Sequence, residues 1–185
     1  MSLKHELFSS SIWGFYWKDS LWIEKAVSFA QHLSTTTASV SKSNSLGWQS
    51  HDFIHKETLF APFVQQLLRV VNSEILPECG GEPFEIDALW INVNYPGACN
   101  FSHIHDHSLS GVYYLSVPTP SPSAGRLVFI DPRQRVSMST HRIKSSNYPV
   151  VPDVGACIVF PSWLEHYVEP NRTQDVRISI SFNLK

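Results

Sequence analysis

A chain of 185 residues with 43% apolar and 12% aromatic side chains carries enough hydrophobic material for one domain-sized core, which excludes a disordered tail or scaffold. Its formal charge of -2, with lysines and arginines scattered, offers no field to a polyanion, so nucleic acid is excluded as a partner. No apolar run is long enough to span a membrane, the N-terminus lacks an apolar signal core, and Cys79, Cys99 and Cys157 form no CxxC pair, so a cytoplasmic protein with free thiols is expected.

After an aromatic lead-in, Asp19 or Ser20 can cap a helix in which Trp22, Ile23, Ala26, Phe29, Ala30 and Leu33 share a face. The polar run that follows predicts a mobile loop over about residues 34–50. A second helix is predicted from about Thr58 to Ile75, with Leu59, Phe63, Leu67 and Val70 or Val71 on one stripe and Pro77 preventing its continuation. From Phe84 onward the sequence turns to short β-branched and aromatic runs, "FEIDALWINVNY", "LSGVYYLSVP", "GRLVFID", "ACIVF" and "VRISISFNL", separated by turn residues. The order predicts one domain over 1–185, with a helical part at 1–83 packed outside a β core at 84–185, arranged as a sandwich or barrel.

In "VRISISFNL" Ile178, Ile180 and Phe182 alternate with Arg177, Ser179, Ser181 and Asn183. If the apolar side lies under the helices, the polar side faces an interior cavity; the alternative is a half-exposed strand with Arg177 in water. The densest chemical signal is "NFSHIHDHSLSGVYYLSVP". On a strand, His103 and His105 face one way, as do His105 and His107, and neutral imidazoles suit Fe, Zn, Cu or Ni. A facial metal site needs a third ligand from elsewhere, and His166, just past an apolar strand and Pro161, is the candidate. Arg177 on the next strand can grip a carboxylate bidentately, with Ser179 adding a hydroxyl. Asn92 and Asn94 alternate with apolar residues and offer amides to the same space. Of Tyr113 and Tyr114, on opposite strand faces, one can line the cavity, and Tyr113 is taken as that residue. Asp131, Arg133 and Arg142 are candidates for the entrance.

These residues resemble the Fe(II)/2-oxoglutarate-dependent dioxygenases, and more narrowly the 2OG-Fe(II) oxygenase group with an HxH...H motif. The resemblance rests on "SNSLGWQS", "WINVNYPGACNFSHIHDHSLSGVYYLSVP", "GRLVFIDPR", "VFPSWLEHYVEPN" and "RISISFN". It implies a double-stranded β-helix, or jelly roll, that uses Fe(II), 2-oxoglutarate and O2 on a small-molecule or protein side-chain substrate, releasing succinate and CO2. His103 matches the first ligand, His166 the distal histidine, Arg177 the co-substrate's carboxylate partner and Ser179 its accessory hydroxyl. The wider superfamily has Asp or Glu two positions after the first histidine; here that position is His105, with Asp106 the substitute if the strand bulges. Two other functions compete: a cupin-like three-histidine metalloenzyme without 2-oxoglutarate, and a non-catalytic jelly roll that binds a metal or ligand.

Overall fold

The computed structural model of the protein describes residues 9–133 and 147–185. Strand β1, Trp13–Tyr16, is formed by the aromatic lead-in and leads to helix α1, Ser20–Thr36. The helix starts where Asp19 Oδ1 accepts the Trp22 N–H at 3.0 Å, and it buries Trp22, Ala26 and Ala30 as the spacing predicts. It ends where the hydroxyls of Thr35, Thr36 and Thr37 bond back to the carbonyls of His32 and Leu33, serving groups that a further turn would have needed.

The predicted loop over 34–50 is corrected by this geometry. Its start belongs to α1, and its end is strand β2, Asn44–Gln49, paired antiparallel with strand β3, Ile86–His103. Backbone pairing and one buried tryptophan hold the segment: Trp48 enters the core and its indole N–H donates to Thr37 O at 3.0 Å. The polar residues around that tryptophan, with Gln49 buried on the cavity face, hid this anchoring from a hydropathy reading.

The second helical region is also longer than expected. After a 3-10 turn at Thr58–Phe60 come helix α2, Ala61–Val70, a π turn at Val71–Ile75 and a short helix α3, Leu76–Cys79. Pro77 does not end it, because Pro77 sits in the first turn of α3, where a missing N–H forfeits no intrahelical bond. The chain leaves the helix at Gly80, whose φ of 71° lies in the left-handed region that glycine tolerates.

The remaining strands are β4, Leu109–Ser116, β5, Leu127–Phe129, β6, Tyr148–Val150, β7, Ala156–Pro161, β8, His166–Val168 and β9, Arg177–Leu184. They form an antiparallel sheet in the order β1-β7-β4-β9-β3-β8-β5-β6, with β2 also on β3. Strand β3 joins two walls: residues 86–94 pair with β9, while Asn100 and His103 pair with β8. The result is the half-barrel of a jelly roll.

The two faces of the β9 wall have different solvents. Ile178, Ile180 and Phe182 pack under the helices with Trp22 and Phe63. Arg177, Ser179, Ser181 and Asn183 line a cavity of about 600 Å³ on the opposite face, so the interior-cavity alternative is the observed one. Among the described residues no helix is long and apolar enough to cross a membrane.

Candidate metal centre

His103 ends β3 and His166 begins β8, and the two are directly opposed in the strand pairing. Directly opposed residues of an antiparallel pair project to the same face, so both imidazoles enter the cavity. His105 lies beyond the end of β3, where its backbone N–H donates to Ser162 O at 2.9 Å and keeps the chain extended. One ligand nitrogen from each of His103, His105 and His166 lies within 4.8 Å of the others. Among the described residues this is the one such cluster of metal-ligating groups.

Two of the rings are oriented by carbonyls two residues earlier in the chain. Nδ1 of His103 lies 2.7 Å from Phe101 O and Nδ1 of His166 lies 2.9 Å from Leu164 O. A carbonyl oxygen only accepts, so each Nδ1 carries the proton and each Nε2 keeps a lone pair for a metal. The Phe160 ring stands edge-on to His166 at 4.7 Å between centroids, closing the apolar side. Burial is the first cause that pushes the imidazolium pKa of His105 down to about 3, with the neighbouring histidines adding to it. Burial likewise lowers His166 to about 4 and holds His103 below its ordinary value. All three rings are therefore neutral near pH 7, the form that binds metals.

Asp106 is exposed and outside the cluster, and Nε2 of His107 pairs instead with Asp87 Oδ2 at 3.0 Å. The converging set is thus the HxH pair plus the distal histidine.

Arg177 is 2% exposed and reaches the same chamber. Its Nη1 donates to Asn94 Oδ1 at 2.9 Å, and its guanidinium lies over the Tyr114 ring, 5.0 Å from the centroid. Arg177 Nε and the Tyr114 hydroxyl are both buried without a hydrogen-bond partner. Buried donors left open beside a fixed positive charge fit an anion, and a carboxylate in particular. Ser179 lines this region, Asn94 orients the guanidinium, and Asn92 donates to Ser181 Oγ at 3.0 Å.

Tyr113 is a correction. Its side chain lies under the helices, against Trp22 and Phe63, with its hydroxyl donating to Trp17 O at 2.7 Å. The register explains the exchange: Tyr113 opposes Ile180 of the core face, while Tyr114 opposes Ser179 of the cavity face. Sequence reasoning therefore missed Tyr114 in favour of its neighbour. Asp131 and Arg133 do not line the chamber; Arg133 pairs with Asp131 through Nε and Nη2, and Arg142 lies outside the described residues.

With this geometry in place, the family described as "Putative 2OG-Fe(II) oxygenase" matches residues 88–183, and the chain belongs to that family of Fe(II)- and 2-oxoglutarate-dependent enzymes. The fold has solved counterparts. It is similar to the non-heme alpha ketoglutarate dependent epimerase SnoN from nogalamycin biosynthesis, at TM-score 0.74 and 14% identity over 95% of this chain and 78% of that one. It is similar to a Pseudomonas putida prolyl-4-hydroxylase, at TM-score 0.70 and 15% identity over 96% and 93%. HygX from Streptomyces hygroscopicus, solved with nickel, 2-oxoglutarate and hygromycin B bound, aligns at TM-score 0.66 and 12% identity over 95% and 82%. No curated protein matches the sequence.

Proposed function

We propose that residues 1–185 act as one non-haem dioxygenase domain in which His103, His105 and His166 hold Fe(II) and Arg177, Tyr114 and Ser179 hold 2-oxoglutarate. The product side of this reading is hydroxylation of a small-molecule or protein side-chain substrate, with release of succinate and CO2. Bound iron supplies the redox chemistry with O2, which no side chain of the chamber can supply.

The chain's own groups bind, orient and exclude water. Arg177 and the Tyr114 hydroxyl receive the far carboxylate of the keto acid, and Asn94 keeps the guanidinium aimed. Phe160, Leu127 and Val168 line the chamber and keep its dielectric low, which strengthens every charge contact inside. Three neutral imidazoles replace the superfamily's two histidines and one carboxylate. With a dianionic co-substrate the site sums to zero charge on Fe(II), against -1 for the carboxylate version, so the donor set fits a divalent ion with altered redox tuning.

The supporting observation is the placement of the imidazole cluster and a buried, partly unpaired guanidinium in one cavity. Among the described residues no carboxylate joins the imidazole cluster, which favours one second reading, a three-histidine oxygenase that works without 2-oxoglutarate. Aerobic incubation with Fe(II) and 2-oxoglutarate separates them: succinate release by the wild type, lost in Arg177→Met, supports the first. Succinate release that ignores Arg177, or none from folded, iron-loaded protein, counts against it.

A further inference from the structure

Four polar side chains cross the sheet in one row. Gln49 of β2 opposes Asn92 of β3, Asn92 opposes Ser179 of β9, and Ser179 opposes Tyr114 of β4. Direct opposition puts all four on the cavity face, whereas Trp48 and Val93, one step along, lie in the core under the helices. Tyr114 and Arg177 mark the carboxylate end of the row. Gln49 lies three strands from Tyr114, about 14 Å at the usual interstrand spacing, and two strands from Arg177, whose guanidinium reaches back to Asn94 of β3.

Gln49 is fixed in its backbone and free in its side chain. Its N–H donates to Ser39 Oγ at 3.1 Å, and its carbonyl accepts the Val40 N–H at 2.9 Å. The residue is 2% exposed and lines the chamber, yet its carboxamide makes no hydrogen bond to any described residue. Asn92, by contrast, is tied to Ser181. The carboxamide faces the chamber with its hydrogen-bonding capacity uncommitted, so a group that arrives from outside can pair with it. Nearby charge is already committed: Lys42 Nζ lies 2.7 Å from Asp52 Oδ2. The indole of Trp90, one row along β3, adds a flat apolar surface in the same chamber.

We propose that Gln49, beside Trp90, is the specificity-determining residue for the primary substrate, and that it receives an uncharged carboxamide. A carboxamide offers one donor and one acceptor side by side, and its best partner is a group offering the same pair. The assignment rests on the chamber being the oxygenase active site, and it places the primary substrate between Trp90 and β2.

The test uses Zn(II)-loaded protein with 2-oxoglutarate, which is diamagnetic and does not turn over, and saturation-transfer NMR with propionamide, propionate and propylammonium as isosteric probes. The wild type should bind propionamide in preference to both charged probes, and Gln49→Leu should reduce that signal at least threefold with 2-oxoglutarate affinity unchanged. Gln49→Glu should reverse the preference toward propylammonium, which keeps the test decisive if the leucine variant folds poorly. N-acetylalanine methylamide in parallel distinguishes a peptide amide from a free one by which binds more tightly. Equal propionamide binding in the variants, a charged probe preferred by the wild type, or weaker 2-oxoglutarate binding in Gln49→Leu would each overturn the proposal. Wild-type 2-oxoglutarate binding, read in the same samples, reports separately on the oxygenase reading.

Discussion

His103 and His166 are cross-strand partners whose imidazole centroids lie 4.5 Å apart, although they stand 63 positions apart in the chain. The β3–β8 pairing thus fixes two of three candidate ligands by backbone register, while His105 follows from the extended segment beyond β3. Substituting His103 or His166 with alanine should lower Fe(II) or Zn(II) affinity by at least about 100-fold, more than the loss of an outer hydrogen bond to a ligand causes. Metal titration by calorimetry checks this, alongside a thermal melt to establish that the apo fold survives.

The chamber predicts different outcomes for two adjacent tyrosines. Tyr114→Phe removes a hydroxyl with no protein partner, so 2-oxoglutarate affinity should fall about 3- to 10-fold, the range of one ordinary hydrogen bond, with little change in stability. Tyr113→Phe removes the bond to Trp17 O, so the protein should lose about 1 kcal/mol of stability and keep its co-substrate affinity. Equilibrium binding and urea unfolding on both variants separate the two.

The pH dependence of the apo protein has a defined sign. Folded-state pKa values of about 3 for His105 and about 4 for His166 lie below the unfolded value near 6.5, and burial is the leading cause of both. Below pH 6.5 the unfolded chain therefore binds more protons than the folded one. The stability associated with the neutral rings is fully present above that pH and is lost progressively toward pH 4. Urea midpoints should fall between pH 7.5 and pH 5, and replacing His105 with glutamine should flatten the slope.

Gly111 of β4 faces Phe182 of β9 across the core side of the sheet. A β-carbon there would run into the Phe182 ring and approach Ile158 O to 2.6 Å. Gly111→Ala should destabilise the fold by about 1–3 kcal/mol or more, because neither a backbone carbonyl nor a close-packed ring can yield. Thermal denaturation is the check.

Several parts of this arrangement were legible in the sequence for a physical reason. The alternation in β9 sorted its side chains into the two observed faces, because period-2 patterning holds within one uninterrupted strand, and left open whether the polar face met a cavity or water. The same logic fails across a break. Between His103 and Leu109 the chain leaves regular pairing, so the facing of the histidines cannot be carried forward to choose between Tyr113 and Tyr114. Gln49 was hidden differently: it lies in a polar stretch where only the backbone ladder and Trp48 mark a strand. Asp106 and His107 differ from His105 in where the extended segment turns, and that depends on the Ser162 contact from a distant part of the chain.

The most direct test of the central claim is anaerobic absorption spectroscopy of the Fe(II)-loaded protein during titration with 2-oxoglutarate. A visible metal-to-ligand band should develop in the wild type, fail to form in His166→Ala, and require at least about 10-fold more 2-oxoglutarate in Arg177→Met, the range expected for losing a hydrogen bond to a charged group. A folded, iron-loaded wild type without the band, or a band whose concentration dependence is unchanged in Arg177→Met, would contradict the account.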